Sequence, residues 1–274
     1  MQRMQMNLST FQHLNVNLSN NQLWVRLNRP EAANAFHLPM IDELVSLLEW
    51  ADYSDEVRVI VFTGEGKHFC AGGDVKAMAE KREMFSGEPD QLRRNYQKGI
   101  QRIPRAMEAL QKPTIALLNG AAIGAGCDFA CMSDIRIGCE KTKLGETFTK
   151  LALVPGDGGT YFLSRVVGYT KAMEMFLTGK IYQAEECLEM GALNKLVTSE
   201  TLLEEGQKMA AMICANAPVA VQMTKKALKL GFHKDLQTSL DLLAAFQGIT
   251  QRTEDHFEGL KALEQKRPAQ FKGS

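Results

Sequence analysis

The sequence predicts an α/β protein, a sheet-bearing core followed by a helical C-terminal third. Three observations predict it. Short apolar, β-branched runs at 57–62, 114–118 and 134–137 alternate with segments of helical spacing, the pattern of βαβ units. Alternating apolar and polar residues near the N-terminus flank a turn. Beyond Pro155, apolar residues recur almost wholly at helical intervals.

His13 to Leu18 and Leu23 to Leu27 alternate around Ser19-Asn20-Asn21, a hairpin with polar turn residues. Arg29-Pro30 ends the second strand. Met40, Ile41, Leu44, Leu47 and Leu48 then mark one face of a helix. Val57 to Phe62 is an uninterrupted apolar run, which predicts a strand buried on both faces. Residues 79–95 are the most polar stretch of the first half and read as a mobile connection or lid, or as a solvated helix end. Ile100 to Leu110 returns to helical spacing, and Pro113 introduces the strand Thr114 to Leu118. A glycine-rich loop, Gly120 to Gly126, leads into an apolar helix reaching about Met132, and Asp134 to Ile137 forms another strand. The later helices are expected at 158–166, 169–178, 183–190, 200–215, 218–230, 234–249 and 253–266.

Composition excludes several classes. Lys plus Arg and Asp plus Glu number 32 each, so the net charge is zero and the basic excess of a nucleic-acid binder is missing. The six cysteines form no C-x-x-C pair and have no histidine at zinc-ligand spacing. Cys127 and Cys131, four apart in an apolar run, fit one buried helix face. Arg3 is the only basic residue before Thr10, with no apolar segment of a secretory signal and no apolar stretch long enough to span a membrane. The expectation is a soluble, cytoplasmic protein without metal or redox cofactor.

The sequence lacks a G-x-S-x-G elbow, an H-E-x-x-H pair and a phosphate-binding G-x-x-x-x-G-K-[ST] loop. Gly120 to Gly126 spells G-x-x-x-G-x-G, which is not the dinucleotide fingerprint. Two glycine-bearing turns stand out, Phe69 to Val75 and Gly120 to Asp128, each between a strand and a helix. Free N–H groups from two such turns, converging on one oxygen, would form an oxyanion hole. The plainer reading is that the glycines only let helix and strand pack closely.

The chain closely resembles the crotonase superfamily, the enoyl-CoA hydratases and isomerases. The resemblance lies in NRPEAANAF (28–36), VIVFTGEGKHFCAGGDVKAM (59–78), KPTIALLNGAAIGAGCDFACMSDIRIG (112–138) and LVPGDGGTYFLSRVVG (153–168). AMEMFLTGK (172–180) and EGLKALEQKRPAQF (258–271) agree as well. It implies a spiral of ββα repeats over residues 1–200 and a helical region, 201–274, through which the chain forms a homotrimer or a homohexamer. It implies an acyl-CoA thioester as substrate, with CoA entering as part of it and no separate cofactor.

By the same resemblance, the N–H groups of Gly73 and Ala125 hold the thioester oxygen as it gains enolate charge. Removing one such donor costs about 3–4 kcal/mol of transition-state stabilisation. CoA is expected against Ala33 and Ala71. Glu31 stands where relatives commonly have lysine, which leaves Lys76 and Lys266 as its phosphate contacts, although each, like Arg29, also fits plain solvated charge. Family hydratases use two glutamates. Asp128 stands at the first position and Phe148 at the second, and phenylalanine transfers no protons. Asp157 is the replacement acid, or else a helix N-cap; Glu146 is a further candidate, or else faces water or a neighbouring chain. The resemblance thus implies an enoyl-CoA hydratase, with Asp128 and Asp157 as its acid–base pair. The alternative is a double-bond isomerase using Asp128 alone. Thioester or C–C bond hydrolysis, or a non-catalytic homologue that binds acyl-CoA or RNA, are further alternatives.

Overall fold

The computed structural model describes residues 6–274, so Arg3 lies outside the described residues. Strands β1 (Leu14–Ser19) and β2 (Gln22–Leu27) pair antiparallel, with Ser19 opposite Gln22. Asn20 and Asn21 between them have φ of 51° and 61°. Two consecutive left-handed residues make the type I′ turn that matches strand twist, and asparagine tolerates that conformation better than other side chains. Helix α1 (Leu38–Tyr53) follows, with proline in its first turn, and then β3 (Val59–Gly64).

The polar stretch is more regular than its composition suggests. Helix α2 (Val75–Ala79), a 3₁₀ turn at Glu83–Phe85 and α3 (Pro89–Lys98) fill it. Pro89 opens α3, Asp90 pairs with Arg93 and Arg94, and no residue of α3 is buried. Its stripe-free sequence is therefore that of a solvated helix, held by proline at its start and by local ion pairs. Helix α4 (Arg102–Ala109) leads to β4 (Thr114–Leu118), β5 (Ala121–Ile123), α5 (Ala125–Met132), β6 (Ile135–Cys139) and β7 (Lys143–Gly145). Then come α6 (Gly159–Val167), α7 (Tyr169–Thr178), β8 (Ile181–Gln183), α8 (Ala184–Glu189) and β9 (Lys195–Val197). Four helices close the chain: α9 (Leu202–Cys214), α10 (Pro218–Gly231), α11 (Leu236–Thr250) and α12 (Glu254–Glu264). The expectation of an almost wholly helical course after Pro155 thus needs β8 and β9 added. At three residues each they are too short to show a period of two.

Six strands form one sheet in the order β1-β2-β3-β4-β6-β9, parallel except for the hairpin, and β5-β7-β8 form a second. Alternate residues of the central strands enter two different cores. Ile60, Phe62, Ala116 and Leu118 join the main core with α1, α4 and α5. Val59, Val61, Ile115 and Leu117 face the other way, against Leu202 and Ala210 of α9. Two buried faces explain the uninterrupted apolar runs in β3 and β4. Helices α10 and α11 bury no residue fully. No helix of the described residues is long and apolar enough to cross a membrane.

The loop after β2 is fixed by one buried side chain. Asn34 accepts from the Arg29 N–H at 2.9 Å and donates to the carbonyls of Glu65 and His68 at 2.9 and 2.8 Å. It ties the segment containing Ala33 to the turn that follows β3. Asn34→Ala is expected to lower the unfolding free energy by about 3 kcal/mol, three hydrogen bonds at about 1 kcal/mol each. A urea titration checks this; a loss under about 1 kcal/mol would show that other contacts hold the loop.

Candidate active site

Parallel strands present their C-terminal ends to one crevice, and the loops leaving β3 and β4 meet there. The Phe69 and Cys70 N–H groups donate to Ala121 O at 3.0 and 3.1 Å, and Ile123 N–H returns a bond to Cys70 O at 3.0 Å. The approach is so close that a Cβ on Gly126 would lie 2.0 Å from Cys70 O. Glycine there is a steric requirement. A third loop joins the pair, because Ala71 N–H donates to Ala33 O at 2.9 Å and Phe36 N–H to Gly72 O at 2.7 Å. The structure therefore brings Ala33 and Ala71 together.

Gly73 and Ala125 sit at the meeting point. A Cβ on Gly72 would come within 3.2 Å of the Ala125 nitrogen, so the two donor turns are in contact. Neither the Gly73 nor the Ala125 N–H donates to any acceptor among the described residues. Ala125 is the first residue of α5, where helix N–H groups have no intrahelical partner and the dipole favours negative charge. Gly124, with φ of 54°, makes the bend that aims this turn. Phe129 anchors α5 from below, its ring 5.6, 5.0 and 6.0 Å from those of Phe36, Phe62 and Phe69.

The Gly73 turn has its own lock. Asp74 caps α2 by accepting from Ala77 N–H at 2.9 Å and pairs with Arg29 at 2.8 Å. Partial burial works against ionisation, yet these bonds hold the Asp74 carboxyl below its ordinary range. Arg29 is thus an internal tie between two loops. Cys70 is equally fixed: its thiol donates to Asn34 O at 3.1 Å, and burial pushes it up to about 12, far from a thiolate nucleophile.

Three carboxyl groups converge at the base of α5. Asp128, in the first turn of α5, is fully buried, as is Glu146 just after β7, and Asp157 is 4% exposed. Asp128 faces both Glu146 and Asp157, near enough for their charges to act on it. Both oxygens of Asp128 and of Glu146, and Oδ1 of Asp157, have no N–H or O–H donor among the described residues. Burial, and then the charges of Asp157 and Glu146, push Asp128 well above the ordinary carboxylate range. Burial raises Glu146 to about 8 and also raises Asp157. Gly159 leaves room for this arrangement, since a Cβ there would lie 1.8 Å from Asp128 Oδ1.

The N-cap reading of Asp157 fails. Helix α6 begins at Gly159, its cap residue is Gly158, and no side chain caps it. Nor does Glu146 face water. Glu146, the further candidate, is therefore as much a part of the cluster as Asp157. The only sequence signal for it was position, at the end of a strand too short to recognise.

Half-buried aromatic side chains border these loops. The Phe148 ring stands 3.5 Å from where a Gly124 Cβ would be, and the Tyr96 ring packs on Gly156. Phe85 lies edge-on to Tyr96 at 6.3 Å, with Met78 and Phe85 both against Gly73. The polar segment 79–95 thus borders the site through the few apolar residues it has. Lys76 is exposed on α2. Lys266 is exposed, and among the described residues no hydrogen bond or ion pair joins it to Ala33, Ala71 or Lys76. The C-terminal segment is instead clamped by Arg58, whose guanidinium donates to Phe271 O at 2.7 Å beyond the opposite end of β3.

The family model described as enoyl-CoA hydratase/isomerase matches residues 18–274. The chain is 34% identical to the short-chain-enoyl-CoA hydratase of Clostridium acetobutylicum, over 89% of this chain and 91% of that protein. It is 33% identical to the 1,2-epoxyphenylacetyl-CoA isomerase of Escherichia coli, covering 90% and 93%. The crystal structure of an enoyl-CoA hydratase from Bacillus anthracis superposes with a TM-score of 0.88 at 33% identity, over 96% of this chain and all of that one. The crotonase fold expected from the sequence is the fold observed.

The buried acids have a consequence for stability. Glu146 is raised in the folded state from 4.5 to about 8, so the folded protein binds the extra proton across that window. Its contribution is whole below about pH 4.5 and is lost as pH rises through 8, at up to about 1.4 kcal/mol per pH unit. Denaturation midpoints measured from pH 5 to 8 should therefore fall, and Glu146→Gln should flatten the fall. An unchanged slope in the variant would place the titration elsewhere.

Proposed function

The chain belongs to the enoyl-CoA hydratase/isomerase family, and from that premise we propose that it hydrates a 2-enoyl-CoA thioester through an enolate held by Gly73 and Ala125. The observation that supports this most is the conjunction of two free N–H groups in touching turns with a buried carboxyl cluster behind them. The thioester oxygen sits between the two donors. Asp157, the more exposed acid, takes a proton from water as the oxygen adds to Cβ. Electron density passes to the thioester oxygen, where preorganised N–H groups stabilise it most in the transition state. Asp128, held protonated by burial and by the charge of Asp157, then protonates Cα.

The CoA portion enters as part of the substrate and lies along Ala33 and Ala71, with Lys76 beside its phosphates. We assign Lys266 to the CoA of a neighbouring subunit, since the tail is anchored away from its own site. That assignment requires a homotrimer, or a homohexamer of two trimers, assembled through residues 201–274. Leu228, Phe232, Leu236 and Leu263 there are each 70% or more exposed in the single chain. Buried in an assembly, they supply the apolar contact that such an interface needs.

Isomerisation is the second reading, favoured by one observation: Phe148 leaves the position of the second family glutamate without an acid. Moving a double bond between the β,γ and α,β positions requires a single carboxyl group, which Asp128 provides. Mass analysis of products from 2-enoyl-CoA and 3-enoyl-CoA separates the two. Gain of one water from the 2-enoyl substrate is expected; conversion of 3-enoyl to 2-enoyl without that gain would make the protein an isomerase. Asp128→Asn is expected to lower kcat about a hundredfold or more while leaving CoA-ester binding intact. Full activity in that variant would remove Asp128 from the mechanism.

A further inference from the structure

Two acid–base groups suffice for the reaction, yet three carboxyls meet. The local fold explains how the third arrives. Gly124 N–H donates to Gly145 O at 2.8 Å, at the end of the β5–β7 pairing, so the residue after Gly145 emerges level with the start of α5. That residue is Glu146, fully buried with both oxygens undonated, facing Asp128 and Cys127 of α5. The titratable groups facing it are Asp128, Cys127 and Cys131 from α5, and Asp157 from the entry to α6.

We propose that Glu146 is a positioning residue of this site, a neutral acid that donates a hydrogen bond to Asp128 and stabilises the carboxylate Asp128 becomes when it gives up its proton. The inference rests on the acid–base roles proposed above for Asp128 and Asp157. Hydrogen bonds between Glu146 and Asp128 and between Asp128 and Asp157 would both be satisfied by two protons and one negative charge. Burial opposes any further charge. In turnover, Asp157 starts ionised and takes a proton from water, whose oxygen bonds to Cβ while the π electrons move to the thioester oxygen. The enolate re-forms its C=O as Cα takes the Asp128 proton. Asp128 is then ionised between two protonated acids and accepts from both. The Asp157 proton passes to Asp128, which restores the cluster, and the Glu146 proton never leaves. Burial raises Glu146 to about 8, which sets the limit of this role, since above about pH 8 the donor itself ionises.

Infrared difference spectroscopy of the full chain against pH reads the proton directly and requires no turnover. A protonated-carboxyl band that disappears through about pH 8 is expected, and Glu146→Gln should lack it. The same band loss in the variant, or no protonated carboxyl at pH 7, overturns the proposal. The pH profile of kcat with a 2-enoyl-CoA then tests its use. The parent should lose rate above about pH 8, whereas Glu146→Gln, whose amide still donates, should hold its rate further into the alkaline range. Glu146→Leu should lose about tenfold or more in kcat with little change in KM, the loss of one hydrogen bond to a charge. An alkaline limb unchanged by Glu146→Gln overturns the role. Absence of turnover with any enoyl-CoA would sink the hydratase reading instead, while the infrared result would still decide where the proton sits.

Discussion

Everything at the site depends on backbone hydrogen bonds that bind three loops to one another. The loop after β2, the turn after β3 and the turn after β4 exchange bonds through Ala33, Phe36, Cys70, Gly72, Ala121 and Ile123. These bonds are internal to the protein and need no ligand to form. The Gly73 and Ala125 donors are therefore held in place before any oxygen arrives. Donors held in this way would need little reorganisation if charge developed on an oxygen between them. The glycines serve the same end. At Gly126 a single methyl would force the two turns apart.

The second constraint is electrostatic and opposes the first. Donors aimed at a forming anion work best in a dry site, but dryness makes carboxylates costly. The chain meets this by letting acids keep protons. Asp128, Glu146 and Asp157 are all raised, by burial before anything else, and their mutual interaction makes their titrations belong to the group and not to any one residue. Phe148, over Gly124, contributes to the same dryness.

The sequence was legible where it repeated or where it broke. The hairpin, β3, β4 and the apolar helix α5 follow from periodicity, and the two donor turns from their glycines. The resemblance to the family then identified Gly73, Ala125 and Asp128 as one set. Strands of three residues were not legible, because their pairing is decided by partners distant in the chain: β7 pairs with β5, and β8 with β7. Glu146 was hard to place for the same reason. Its burial follows from a strand that no local pattern announces. Helix α3 was obscured for the opposite reason, since proline and ion pairs can hold a helix that shows no apolar stripe. Lys266 shows a further limit: the likeness groups it with Ala33, Ala71 and Lys76, whereas the tail a few residues on is clamped by Arg58 before the start of β3.

The clamp at Arg58 divides the labour along β3. Its guanidinium bonds Cys214 O and Phe271 O at one end of the strand, while Gly64 at the other end leads into the donor turn, about 20 Å away for six residues at roughly 3.3 Å each. The same strand thus anchors the tail at one end and supports chemistry at the other. A change in how the tail is held therefore reaches the donor turn only through the length of β3.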